Sequence, residues 1–346
     1  VFGGKSGATP EISPLFVVGV GLVSPAGFSA ADHVFFVRAG TVQPVPSPFV
    51  NADDEPLPCA YCPWLSATSS LGERIEQLAF GAASEALDPV RGEARNVHLS
   101  LVLPSPSAEF SEPAQATVAS HLRQYLAVTT VSRFRGAAGA HEALLDAQKK
   151  LEAGTVEAVC IVGADSSFSV PLVEAAYRRR RVVWVPLEPP PSEAAGAVVL
   201  MSRRSPTLKP LARLVDAGTT PGASNDFNDE PVDGTGLTYL FKKLPNRGGV
   251  PMVFGPLQSE RLRQRDFHLA AARARRHLGA PYANVDVETA IGQVGAAAGA
   301  VHLAYAVACN QYQSVDPAIP PGSPFYAWAI SADGVRGLAL LEGSVS

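Results

Sequence analysis

The chain has 346 residues, a net charge of −4 and a hydrophobic share of 47%. That length can bury a large core or two structural halves, and so slight an acidity gives no overall pull toward nucleic acid or an anionic membrane. No run approaches ~18 apolar residues, so no membrane-spanning helix is expected.

Residues 1–14 lack the basic-then-apolar pattern of a signal peptide and are expected to form a flexible leader. Four cysteines in so long a chain do not make a disulfide framework, and a reducing cytoplasm is the expected setting. LFVVGVGLVSPAG (15–27) reads as a buried strand and turn, and SAADHVFFVRAG (29–40) as a helix closed by Gly40. A Pro-rich loop follows. LGERIEQLAFGAASEAL (71–87) has helical period, VHLSLVLPS (97–105) is a strand running into a loop, and EPAQATVASHLRQYL (112–126) is an amphipathic helix. GAAGAHEALLDAQKKLEAG (136–154) is a helix with a small-residue entry, followed by the strands in VEAVCIVGADSS and EAAGAVVLMSR.

The second part echoes the first. VPMVFGPLQS matches the strand and loop at 97–105, and GAAAGAVHLAYAVACNQ (295–311) matches the helix at 136. Each of these helices leads to an apolar strand ending in Ala-Asp, CIVGADSS and AWAISADG. Alternating strands and helices predict an α/β protein with a buried sheet. The predicted organisation is two similar α/β halves, 15–207 and 208–346, each with a buried Ala/Gly-rich helix. Small residues would let those helices lie close to neighbouring backbone, most simply to each other.

These segments together resemble the β-ketoacyl synthases, a branch of the thiolase-like superfamily, from about Leu15 to Glu342. VVGVGLVSPAGFSAADHVFFVRAG is similar to that family's first strand and helix, SEAAGAVVLMSR to its GEGA strand, and IGQVGAAAGAVHLAYAV to its last catalytic segment. The resemblance implies a five-layer thiolase-like fold. It also implies a site of three catalytic groups, a cysteine nucleophile at a helix N-terminus and two histidines (or a histidine and an asparagine in relatives), with a lysine supporting one histidine.

On that resemblance every group is replaced. The cysteine's place falls on Gly136 or Ala137. The second histidine's place is Gln293, and the lysine's is Glu288. The first histidine's segment reads GPLQSE, and the closing glycine-rich segment reads ADGVRG. Ser132 and His141 are the hydroxyl and imidazole closest in sequence to the nucleophile position, His141 one turn into the helix where it could face the cavity. His302 reads as a satisfied core histidine, and Cys160 and Cys309 as core thiols.

Cys59 and Cys62 form a lone CxxC in the Pro-rich loop. No partner pair of ligands at zinc spacing accompanies it, so the pair is read as pinning the loop, with no metal or cofactor expected. YRRRR (177–181) and the Arg-rich helix around 260–279 read as solvated faces or a patch for an acidic partner.

The expectation is therefore a non-catalytic, ketosynthase-like binding or adaptor protein. The resemblance extends to thiolase-like accessory proteins of type VI secretion, which implies an effector or spike component as partner. The alternative is a chain-length-factor-like subunit that pairs with an active ketosynthase or meets an acyl carrier protein; a divergent acyltransferase is the third reading. A homodimer or heterodimer is expected, paired through the strand at 97–105.

Overall fold

The structure is a computed structural model that describes residues 14–40, 42, 48–50, 54, 56–183, 189–202, 207–222, 231–257, 261–279, 281–312 and 319–344. The expected leader, apart from its last residue, and part of the expected junction between halves lie outside the described residues. In chain order the first part comprises β1 (Leu15–Val23), α1 (Ala30–Ala39), α2 (Leu71–Leu87), β2 (Val97–Leu103), α3 (Glu112–Tyr125), β3 (Thr130–Arg135), α4 (Gly139–Glu152), β4 (Ala158–Ser166), α5 (Val170–Val183) and β5 (Glu193–Met201). The second comprises β6 (Ala212–Thr220), α6 (Thr235–Lys243), β7 (Met252–Phe254), α7 (Arg261–Arg273), α8 (Arg275–Leu278), β8 (Ala283–Val285), α9 (Glu288–Ile291), α10 (Ala298–Gln311), β9 (Pro324–Ile330) and β10 (Arg336–Gly343).

The described strands form one sheet in the order β3-β2-β4-β5-β1-β6-β10-β9-β7-β8. The two ends of that order mirror each other. Each five-strand half is laid out alike, and the halves join where Leu15–Val17 of β1 runs antiparallel to Ala212–Leu214 of β6. The internal echo seen in the sequence is thus also an echo of topology.

β1 shows how the residues set the layers. It is buried along its whole length. Val17, Val20 and Leu22 enter the core between the halves, while Phe16, Val18 and Val23 enter the outer core beneath α2 and α3. The shift in alternation falls at the bulge between Val17 and Gly19, where one extra residue turns the following side chains over. A third core lies between the C-terminal strands and α6 and α7. Helices α4 and α10 fill the central layer, giving five layers, α-β-α-β-α.

Residues 298–309 of α10 are all buried, so this helix has no polar face. Its small side chains permit close backbone approach. A Cβ on Gly299 would stand 2.0 Å from the Ala137 carbonyl oxygen at the start of α4, so only glycine fits there. The expected contact between the two Ala/Gly-rich helices is where the sequence put it.

Two expectations need correction. The strand at 97–105 is not a free edge: β2 lies between β3 and β4, paired in parallel with both. On this side the edge among the described strands is β3, whose residues are all exposed or half-buried. The helix expected from 136 begins at Gly139, because Gly136 takes a left-handed conformation, φ 70°, and makes a turn first.

Candidate functional site

The N-termini of α4 and α10 open on one cavity of about 330 Å³. Gly136, Ala137, Glu288 and Gln293, far apart in sequence, all line it. Asp165, Ser331, Asp333, Arg135 and Arg263 also reach its wall. The four positions identified from the resemblance therefore do converge.

Each central helix is capped by a side chain from the other half. The Ala138 N–H donates to Ser331 Oγ at 2.8 Å, and the Ala296 N–H donates to Asp165 Oδ2 at 2.7 Å. Helix N-termini leave N–H donors without intrahelical partners, and hydroxyl or carboxylate caps satisfy them. A Cβ on Gly136 would lie 2.6 Å from Ser331 Oγ, so the serine hydroxyl occupies the space of a side chain at position 136. A Cβ on Gly295 would likewise meet Asp165 Oδ2 at 2.3 Å. Burial pushes the Asp165 carboxyl up to about 7, against the pull of the N–H bonds from Ala296 and Ser166.

Gln293 is held by its backbone. Its N–H donates to the Pro190 carbonyl and its own carbonyl accepts from Ser192, both at 2.8 Å. Glu288 is buried, and its Oε1 accepts the Val294 N–H at 3.1 Å.

Ser132 and His141 do not meet at this cavity. Ser132 sits on β3, opposite Ser100 of β2. His141 is fully buried, and its Nε2 donates to the Ala327 carbonyl at 3.0 Å. The ring fills the space that a side chain on Gly337 would need, which turns it under β10 and away from the cavity wall. Burial takes its pKa down to about 4, so the ring is neutral.

His302 is a satisfied core residue, as its setting in α10 suggested. Nδ1 donates to the Ala298 carbonyl at 2.9 Å and Nε2 to Asp286 Oδ1 at 3.2 Å. Burial acts to lower its pKa, but the Asp286 bond and charge, with Glu288 nearby, outweigh it and hold the pKa above the ordinary value.

The CxxC pair belongs to a different structure. Cys59 and Cys62 are free and buried. The Cys62 N–H donates to Glu193 Oε1 at 2.7 Å, and Glu193 forms a wholly buried ion pair with Arg74. Among the described residues no His, Cys, Asp and Glu side chains gather as a metal site. Of the YRRRR run, Arg178 pairs with Glu174 at 3.2 Å, and the side chains of 179–181 lie outside the described residues. No described helix is long and apolar enough to cross a membrane.

Ser331 was missed in the sequence. The Ala-Asp pair of the internal echo, Ala332-Asp333, directly follows it, but nothing local links Ser331 to a helix start 193 residues away.

No family model matches the chain, and no curated protein matches it. Solved structures do. The ishigamide ketosynthase/chain length factor aligns with a TM-score of 0.70 at 18% identity, over 96% of this chain and 100% of that one. A ketosynthase in complex with its chain length factor from Xenorhabdus doucetiae aligns at 0.73 and 13% identity, over 97% and 100%. A type II acyl-carrier protein in complex with its ketosynthase aligns at 0.77 and 12%, over 96% and 100%. At such identities the likeness speaks for the architecture, and with the mirrored five-strand halves and the two buried central helices it gives this chain the thiolase-like α/β fold of the ketosynthases and chain length factors.

Proposed function

We propose that this chain is a non-condensing, ketosynthase-like subunit that pairs with an active ketosynthase, in the manner of a chain length factor. The observation that carries the reading is the cavity. On the resemblance the nucleophile position falls on Gly136 or Ala137, and those of the histidine and the lysine on Gln293 and Glu288; all four line the cavity, where the Ser331 hydroxyl fills the side-chain space of Gly136. Condensation needs a thiolate and its imidazole partners, and the described residues of this wall supply neither. The complexes of ketosynthases with chain length factors and carrier proteins among the matched structures favour this reading over the secretion adaptor.

The free edge β3 is the surface we assign to the partner. Arg133 and Arg135 share its outer face with Val131, and both pair with Glu112 at the start of α3. Pairing with a second copy of β3 would bring four guanidinium groups onto one face against two carboxylates, and like charges across a strand pair are unfavourable. A different chain with acidic residues on that face fits better.

The test is affinity capture of the tagged chain from its native cells, read by mass spectrometry, followed by reconstitution with the captured protein. Recovery of a ketosynthase that binds one-to-one supports the reading. Recovery of secretion spike or toxin proteins, or condensation of malonyl thioester by this chain alone, overturns it.

A further inference from the structure

Helix α1 packs on β1 and α10, burying Ala30, His33 and Val34, and turns Phe35 and Phe36 to the outside. Phe35 is 70% exposed, the most exposed large apolar side chain among the described residues. Phe35 and Phe36, with Tyr312 just beyond α10, line a groove of about 750 Å³, and Asp32 and Arg38 line it too. At the Asp32 end, the carboxylate accepts the Phe28 N–H at 3.2 Å, and the Phe28 ring lies 4.0 Å from the Trp64 ring. All five aromatic rings are exposed. At roughly 200 Å² for a whole aromatic side chain, they leave roughly 500 Å² of largely apolar surface uncovered. That is at the upper end of what a solitary chain carries. Two such faces set together supply roughly 1,000 Å², about the least that a specific interface needs.

We infer that a second copy of this chain covers this face, with the two α1 helices antiparallel about a two-fold axis at Phe35. The charges select that occupant. Asp32 stands in the first turn of α1 and Arg38 in the last, three residues to either side of Phe35. Each is therefore about 4.5 Å from it along the helix axis. An antiparallel copy stands its Arg38 level with Asp32 and its Asp32 level with Arg38, with the Phe35 rings between them, so the face is complementary to itself. A parallel copy would set like charge beside like. The helix dipoles also oppose one another in the antiparallel pair. Arg38 has no ion pair among the described residues, so pairing displaces none. The edge assigned to the ketosynthase is elsewhere: β1, on which α1 packs, is four strands from β3, roughly 19 Å across the sheet. The α1 pairing does not depend on the ketosynthase reading, and it leaves β3 open.

The experiment is sedimentation velocity on the whole purified chain across the micromolar range. The expected result is a concentration-dependent dimer of twice the 36.2 kDa chain mass. Phe35→Glu sets two carboxylates together at the axis and is expected to weaken self-association at least about tenfold. Asp32→Lys and Arg38→Glu each bring like charges level and should weaken it as well. An equal mixture of those two variants restores opposite charges at both positions and should dimerise again. A chain that stays monomeric, a dimer indifferent to Phe35→Glu and Arg38→Glu, or a mixture that does not recover overturns the proposal. Should Asp32→Lys fail to fold, since it also loses the bond from Phe28, the other two variants decide alone. Ketosynthase binding by the Phe35→Glu protein should be unchanged. Its loss would give the α1 face to that partner and overturn the second copy, whereas absence of ketosynthase binding in the wild type would overturn the partner reading alone.

Discussion

Arg74 and Glu193 meet with no solvent on either side chain. The guanidinium Nε donates to Oε2 at 2.8 Å, and a second bond joins its NH2 group to Oε1. The carboxylate also accepts from the Cys62 N–H and the Ser166 hydroxyl, both at 2.7 Å, and the guanidinium lies 3.9 Å above the Phe168 ring. The CxxC loop, the start of α2 and the end of β4 are tied together at this pair.

Removing one partner leaves the other charge buried. Arg74→Met is expected to cost about 3–5 kcal/mol in chemical denaturation. The double change Arg74→Met with Glu193→Leu should recover part of that loss. A single variant as stable as the wild type would show that the pair is not a structural tie.

The four thiols should be silent in the native state. Burial pushes Cys59, Cys160 and Cys309 up to about 12 and Cys62 well above its ordinary value. A thiol-reactive dye should label none of them until denaturant is added. Rapid labelling of Cys59 or Cys62 in the folded protein would reopen the redox reading of the CxxC.

Restoring a cysteine at position 136 should fail on its own. Gly136→Cys places a side chain at φ 70° and within 2.6 Å of Ser331 Oγ. The backbone and overlap costs together come to roughly 2–4 kcal/mol. Adding Ser331→Gly should remove the overlap share and leave the backbone share. Equal melting temperatures for the single and double variants would contradict the overlap.

Stability should depend on pH through groups of opposite sign. His33 and His141 are buried, with pKa values taken from 6.5 down to about 4. Nδ1 of His33 donates to the Ser29 carbonyl and its Nε2 accepts from the Ser24 hydroxyl, an arrangement that suits the neutral ring. Each contributes stability that is present above 6.5 and is lost as pH falls through the window to 4. The loss is about 3 kcal/mol per ring. Asp165 runs the other way. Raised from 3.8 to about 7, it contributes stability that is full below 3.8 and is lost as pH rises through 7, up to about 4 kcal/mol. The checks are differences: wild type minus His141→Met should rise from pH 4 to 7, and wild type minus Asp165→Asn should fall from pH 4 to 8. Flat differences would refute the assignments.

Charge on β3 should control pairing. Reversing Arg133 and Arg135 to Glu is expected to weaken binding of a captured ketosynthase at least tenfold, while the melting temperature of the isolated chain moves little, since both arginines are half exposed. Unchanged binding in surface plasmon resonance would move the interface elsewhere.

The sequence by itself determined the architecture. A strand as apolar as β1, and β5 beyond Glu193, must be covered on both faces, and the small side chains at the starts of α4 and α10 suit close backbone contact at the centre, most plainly in α10, which has no polar face. Positions 136, 137, 288 and 293 were singled out through a resemblance carried by local segments, and the structure brings them to one cavity wall. The tertiary structure decided what no local pattern encodes. It placed β3 rather than β2 at the edge, because strand order follows crossovers and not the chain. It turned His141 under β10, because helix rotation is set by what packs against it. It put Ser331, from the far half, into the side-chain space of Gly136, because two helix ends and two strand ends meet only when the halves close on one another.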